Sequence, residues 1–259
     1  MIKALMARLY QKYRTIPFPK GRPPALPERF RGLPSVKINM CADGCKTCIE
    51  ICPTGAILQN HGLQIDLGKC LFCRDCEEAC PSGAIRYGND YRLAVRRRED
   101  LTLYAGREEL KLAEEFDKRM KSILGRSLQL RQVSAGGCGA CEADVNVLNT
   151  VGWDLGRFGI QFVASPRHAD GILVTGPVTK NMELALRKTY EAVPSPKIII
   201  AVGACAISGG PYIGREEVSD GMIADIPVDL FIPGCPPHPL TTLDGLLRLT
   251  GKIRERAKR

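Results

Sequence analysis

Cys70-Leu71-Phe72-Cys73-Arg74-Asp75-Cys76-Glu77-Glu78-Ala79-Cys80-Pro81-Ser82-Gly83-Ala84-Ile85 is the stretch from which the rest of the chain can be read. A near-copy precedes it. Cys45, Cys48 and Cys52, with the tail Pro53-Thr54-Gly55-Ala56-Ile57, recur at an offset of 28 residues, and Cys41 stands ahead of them. Cysteines two residues apart turn three thiolates toward one cubic cluster within a tight loop, while a fourth Cys followed by Pro is carried to the neighbouring cluster. On that logic Cys41, Cys45, Cys48 and Cys80 hold one four-iron (4Fe-4S) cluster, and Cys70, Cys73, Cys76 and Cys52 hold another. The second repeat fits the C-x2-C-x2-C-x3-C-P pattern without exception. In the first, Ala42, Asp43 and Gly44 separate Cys41 from Cys45, a local loop change or an altered geometry at Cys41. The alternative is a pair of tetrahedral zinc sites, which also use C-x-x-C knuckles but do not need the cysteine–proline exchange. Between the repeats, His61 to Ile65 predict a short strand after a turn.

The chain around this stretch has 259 residues, enough for one large or two small cores. Its longest apolar run, Ile198 to Ile207, falls well short of the ~20 residues that cross a bilayer. Lys3, Arg8 and Lys12 interrupt the apolar residues near the start, so no export signal is expected. Twelve cysteines without an export signal read as reduced thiols, which argues for metal or catalysis rather than a disulfide framework. The net charge of +9 is concentrated at one end: residues 1–40 hold nine Lys/Arg against the single acid Glu28. That argues against a nucleic-acid groove on the folded domains, and for a basic arm that meets an anionic lipid surface or an acidic partner.

In chain order, Ile2, Leu5, Met6, Leu9, Tyr10 and Tyr13 fall at helical spacing, which predicts a short amphipathic helix packed on protein or lying in a membrane interface. Six prolines between Pro17 and Pro34 then predict an extended arm that wraps a neighbour or tethers. Residues 1–34 are this basic helix and arm, and 35–92 the two-cluster domain. Residues 93–126 are read as a connector. Its charged stretch 100–124 places Leu110, Ala113, Phe116, Met120 and Leu124 on one face of a solvated linking helix that ends at Gly125. Residues 127–259 alternate apolar runs with helical patterns, which predicts an open parallel sheet with crossover helices. The expected strands are 128–133, 160–164, 171–175, 197–203 and 228–232; the expected helices are 141–151, 181–192 and 239–252.

The remaining cysteines, Cys138, Cys141, Cys205 and Cys235, each follow a predicted strand. In an open α/β sheet those strand ends share one edge, where ligands bind, so four thiols distant in sequence can converge on a third 4Fe-4S cluster. Plain core packing is the other fate of a lone Cys such as Cys205 or Cys235, but both lie in Gly- and Pro-rich loops. His168 and His238 are expected near the same edge; His238 is close enough behind Cys235 to tune a cluster. No G-x-G-x-x-G or P-loop lysine follows a strand, so no bound nucleotide is expected.

Residues ~35 to ~90 resemble the bacterial-type two-cluster ferredoxin domain of hydrogenase and respiratory complex I subunits. Gly136-Gly137-Cys138-Gly139-Ala140-Cys141-Glu142, Thr175-Gly176-Pro177-Val178-Thr179, Gly203-Ala204-Cys205-Ala206-Ile207-Ser208-Gly209-Gly210 and Ile232-Pro233-Gly234-Cys235-Pro236-Pro237 resemble the small subunit of group 4, membrane-bound nickel–iron (NiFe) hydrogenases of formate-hydrogenlyase or carbon-monoxide-linked type. The complex I subunit that carries the terminal cluster is a close relative. It usually places its first two cluster cysteines side by side, whereas the hydrogenases resemble the Cys138-Gly139-Ala140-Cys141 spacing. Those relatives commonly carry Asp then Glu after the second cysteine; here Glu142 and Asp144 occupy the two positions, either for proton transfer or as helix caps.

The resemblance implies a flavodoxin-like α/β domain preceded by a small α+β ferredoxin domain. It implies an oxidoreductase subunit that conducts electrons through three 4Fe-4S clusters to or from a nickel–iron site in a partner large subunit. Further partners would be membrane-arm subunits and a soluble donor or acceptor such as ferredoxin, formate dehydrogenase or CO dehydrogenase. The place would be peripheral, on the cytoplasmic side of the membrane, with no nucleic acid. Competing readings are a complex I-like oxidoreductase that reduces quinone or another carrier, a stand-alone polyferredoxin, and a zinc-bearing nucleic-acid binder.

Overall fold

Helical spacing of apolar residues forms α1 (Ile2–Gln11) in the structure, a computed structural model that describes residues 2–42, 44–59, 62–106, 109–124 and 127–253. The helix buries none of them: Ile2, Leu5, Met6 and Leu9 are 62% to 75% exposed. Asp43, His61 and Gly125, each part of a sequence expectation, lie outside the described residues.

The proline-rich arm after α1 wraps its own chain. Ile16 N donates to Gly152 O, Arg157 donates to Phe18 O, and the buried Phe18 ring meets Tyr91 edge-on at 6.0 Å. The arm then pairs with the second repeat, Gly32 N donating to Gly88 O and Leu33 N to Asp90 O.

The 28-residue repeat is also a repeat of structure. After β1 (Pro34–Val36), the first copy forms α2 (Thr47–Glu50) and β2 (Ile57–Gln59), and β3 (Leu63–Asp66) follows. The second copy forms α3 (Asp75–Glu78) and β4 (Ile85–Tyr87) at the equivalent positions. Each helix is a single turn because Pro53 and Pro81 cannot extend it. The two copies differ in partner: β2 pairs antiparallel with β3, and β4 pairs antiparallel with β1.

The expected linking helix over 100–124 is not formed. Residues 102–104 are a strand, β5 (Thr102–Tyr104), which pairs with β3; helix begins only at α4 (Lys118–Leu124). Of the apolar residues that read as one helical face, Met120 and Leu124 lie on α4, whereas Leu110, Ala113 and Phe116 are buried or partly buried from chain with no regular structure: Ala113 N donates to Ala94 O and Phe116 N to Leu249 O. Tertiary partners have overridden helical periodicity, as they readily do when propensity is weak. Val95, fully buried, exchanges both backbone hydrogen bonds with Phe231 and so covers what would be an open sheet edge. The connector is therefore part of the core.

The C-terminal half runs β6 (Leu128–Ser134), α5 (Ala140–Val147), β7 (Ile160–Phe162), β8 (Gly171–Thr175), α6 (Lys180–Ala192), β9 (Ile198–Val202), α7 (Ala204–Ser208), β10 (Leu230–Ile232) and α8 (Pro239–Leu249). All four strand pairings are parallel, in the order β10-β9-β8-β6-β7. β8 and β9 are buried along their whole length, which is why they read as continuous apolar runs. Side chains alternate between faces. Leu173, Ile198 and Ile200 pack on one side with α8, and Ile172, Val174 and Ile199 on the other with Leu186 of α6. The strand order reverses between β6 and β8, so the loops after β6, β8, β9 and β10 share one edge of the sheet.

The repeat region docks beside that edge. Ile65, Leu67, Leu101 and Leu103 share a core with Ala201, Ala206 and Ile207, and Ser208 donates a 2.7 Å hydrogen bond to Gly68 O. The chain is thus mixed α/β, with a five-stranded parallel sheet behind a small cysteine-repeat region.

Candidate metal centres

The structure collects the twelve thiols into three groups. In the first, Cys48 lies within Coulombic reach of Cys41 and Cys80, and Cys45 within reach of Cys80, so the last cysteine of the second repeat joins the first three of the other. In the second, Cys70 and Cys76 both feel Cys52, and Cys76 feels Cys73. In the third, Cys141 feels Cys205, Cys235 and Cys138, and Cys205 feels Cys235 and Cys138. These are the sets expected from the spacing and the strand ends.

The groups also lie in a row. Cys48 senses Cys76, which links the first to the second. Cys235 senses Cys73, and both line a cavity of about 450 Å³ with Phe72 and Pro236, which links the second to the third.

Their surroundings differ. At the first group the Thr47 side chain and backbone hold Cys45 below the ordinary thiol value; at Cys80 burial acts upward, but bonds from Ser82, Ile85 and Ala84 outweigh it. At the second, burial pushes Cys70 up to about 12 in spite of hydrogen bonds from Tyr87 and Phe72. Burial raises Cys73 and Cys76 as well. At the third, burial and then the neighbouring thiolates push Cys205 up to about 11 and raise Cys141 and Cys235. Buried thiols so close together carry charge only when a cationic group shares it.

Short-range geometry fits that role. Ala56 N donates to Cys52 Sγ at 3.2 Å, Phe72 N to Cys70 Sγ at 3.3 Å and Ala84 N to Cys80 Sγ at 3.3 Å. Gly203, at φ 89°, and Gly210, at φ 58°, have no room for a side chain: a Cβ would stand 2.6 Å from Cys141 Sγ and 2.7 Å from Cys205 Sγ respectively. Among the described residues no three Cys, His, Asp or Glu side chains close around a single ion.

The other predicted residues fall as follows. Glu142 Oε1 accepts 2.6 Å hydrogen bonds from Ser134 and Thr175, clamping α5 to the ends of β6 and β8. Burial acts to raise its pKa, but these bonds prevail and hold it low. Gly139, with no side-chain bond, is the N-cap of α5, so neither acid caps the helix. Asp144 faces the cavity beside Cys235, and burial raises its pKa. His238 caps α8 through Nδ1, which accepts from Leu240 N at 3.1 Å; its ring packs edge-on against Phe30 and Trp153. His168 is not at the cysteine edge. It ends a 3-10 turn just before β8, at the opposite end of the sheet.

Spacing gave no hint of Tyr87, whose hydroxyl lies 3.3 Å from Cys70 Sγ and 3.7 Å from Cys76 Sγ. It reaches them because β4 pairs with β1 and turns its last residue back toward the second group. Ser134 and Thr175 were equally invisible as partners of Glu142.

Residues 138–249 match the family described as NADH ubiquinone oxidoreductase, 20 Kd subunit, and residues 40–84 match the 4Fe-4S dicluster domain. The chain is similar to a Pyrococcus furiosus protein described as "Probable membrane-bound hydrogenase subunit mbhJ". The two are 38% identical over 146 residues, covering 55% of this chain and 87% of that protein. Among solved structures it is similar to a chain of the membrane-bound sulfane sulfur reductase, an archaeal respiratory membrane complex. There the identity is 34%, over 52% of this chain and 75% of that one, with a TM-score of 0.46.

Proposed function

The chain belongs to the NADH ubiquinone oxidoreductase 20 kDa subunit family, with a 4Fe-4S dicluster domain ahead of the family segment, and from that premise we propose that it is the electron-transfer subunit of a membrane-associated nickel–iron hydrogenase complex. In this reading Cys41, Cys45, Cys48 and Cys80 hold one 4Fe-4S cluster, Cys52, Cys70, Cys73 and Cys76 a second, and Cys138, Cys141, Cys205 and Cys235 a third. When bound, such clusters supply one-electron storage and transfer. We assign the first two to residues 35–92 and the third to a flavodoxin-like domain over 127–259, a reading supported by the strand order with its reversal between β6 and β8.

The observation that carries the proposal is the position of the third thiol group. Its Cys235 lies next to Cys73, and Cys138 and Cys235 are exposed. A thiol group that meets its neighbour inside the chain and opens outward has a place for a partner subunit holding the next redox centre. The row of groups supports an order of transfer between the Cys41 end and the Cys138 end, to or from the partner's site, for hydrogen evolution or oxidation. All twelve cysteines are used in this assignment, so the nickel–iron site belongs to that large subunit. The Cys138-x-x-Cys141 spacing supports hydrogenase, of formate-hydrogenlyase or carbon-monoxide-linked type. Of the two acids behind Cys141, Asp144 faces the cavity and is the better placed for proton exchange, since the carboxylate of Glu142 is held by two hydroxyls.

Among the described residues no helix is long and apolar enough to cross a membrane. The exposed, basic α1 supports peripheral attachment to the membrane arm on the cytoplasmic side. A complex I-like oxidoreductase reducing a quinone or another carrier is the second reading, favoured by the description of the matched family. The nickel-to-iron ratio of the complex that co-purifies anaerobically with this chain separates the two. About one nickel with at least twelve iron, the count for three four-iron clusters, is expected. Iron without nickel would move the function to the second reading, and a chain that purifies alone with its iron would be a stand-alone carrier.

A further inference from the structure

The 28-residue offset allows the first two thiol groups to be compared position by position. At the first, the Thr47 hydroxyl lies 3.5 Å from Cys45 Sγ, the Ser82 hydroxyl 3.6 Å from Cys80 Sγ, and Ala84 N donates to Cys80 Sγ. At the second group the backbone donor is kept, Ala56 N donating to Cys52 Sγ at 3.2 Å, but the two hydroxyl donors are missing or diverted. Asp75 stands where Thr47 would be; its backbone N–H favours the Cys73 thiolate, but its carboxylate acts against it. Thr54, the counterpart of Ser82, donates to Lys69 O at 2.8 Å and lies 3.9 Å from Cys52 Sγ. The second group is also the more deeply buried, with Cys70 and Cys76 each 6% exposed.

Burial and a neighbouring carboxylate both work against adding an electron, because the reduced cluster carries more negative charge. What the second group has instead is Tyr87, at the position held in the first copy by the exposed Gln59. Its hydroxyl reaches two sulfurs at once, and its ring is packed against Phe72 with centroids 6.0 Å apart. A cysteine sulfur bound to iron has no proton to give, so in these contacts the tyrosine must be the donor.

We infer that Tyr87 sets the reduction potential of the second cluster, its hydroxyl donating to the sulfurs of Cys70 and Cys76 and so offsetting the burial of that site and the charge of Asp75. The inference rests on the ligand sets proposed above. It makes Tyr87 a tuning residue that acts through the cysteines, in the way hydrogen bonds to cluster sulfurs raise a potential.

The test is an EPR-monitored redox titration of the full, cluster-loaded chain with Tyr87 and with Tyr87→Phe, which keeps the ring and its packing. Three reducible clusters are expected in both proteins, with one midpoint potential lower in Y87F and the other two unmoved. Three clusters with no shift would overturn the inference. Fewer than three clusters in the unsubstituted chain would instead overturn the ligand assignment beneath it. If Y87F does not load, electron–nuclear double resonance of the unsubstituted protein decides the question. An exchangeable proton coupled to the reduced second cluster, and lost in D2O, is expected; its absence would overturn the inference.

Discussion

Residues 45–57 and 73–85 are one motif written twice, with one helical turn and one strand in each copy, yet the thiol groups beside them sit in opposite environments. The first is edged by hydroxyl donors and partly open to solvent. The second has two buried cysteines to the first group's one, has an acid where the other has a threonine, and takes a tyrosine hydroxyl on two of its sulfurs. The comparison teaches that spacing fixes which cysteines meet, while the side chains between and after them fix how each group handles charge. The second group lies between its twin and the third group.

The largest expected effect comes from crossing the repeats. Cys52→Ala, although in the first copy, should empty the second group, and Cys80→Ala, in the second copy, should empty the first. Each variant is expected to lose about four iron, with a different EPR signal missing in each. Loss of the signal belonging to the variant's own repeat would break the exchange.

A smaller effect tests the shared core. Leu67 is fully buried with Ile207 across the junction with the parallel sheet, whereas Leu58 on β2 is 44% exposed. Leu67→Ala should cost about 2–5 kcal/mol and Leu58→Ala less than about 0.5 kcal/mol, read as thermal shifts of the loaded protein. Equal shifts would mean that the second side of the repeat region is not anchored in the sheet.

Smallest are the donor changes. Thr47→Val should lower the potential of the first cluster, and Asp75→Asn should raise that of the second. Both shifts are expected on the order of tens of millivolts, for comparison with the 59 mV that a tenfold change represents in a one-electron couple. Shifts of the same sign in both variants would contradict the contrast drawn between the two sites.

Much of this molecule was legible from its residues. The cysteine groups were, because closely spaced C-x-x-C repeats turn their thiols toward one another within a tight loop, and because loops after parallel strands converge whatever their separation in sequence. β8 and β9 were, because strands buried on both faces are continuous apolar runs. The connector was not. Leu110, Ala113, Phe116, Met120 and Leu124 fit one helix on paper, but only Met120 and Leu124 lie on one; ahead of α4, Ala94, Leu249 and the β3 edge offered non-helical chain better partners. His168 was misplaced because a residue just ahead of a strand lies at the edge opposite the one just after it. Tyr87 and the Glu142 clamp depend on strand pairing between distant segments, which local pattern does not encode.

The central claim, three thiol groups that each hold a four-iron cluster in one chain, is tested most directly by iron and acid-labile sulfide per chain in the anaerobically purified protein, repeated after Cys138→Ala. About twelve of each, falling to about eight in the variant, is the predicted result. About eight in both proteins would leave the third group without a cluster, and zinc in place of iron would contradict the account altogether.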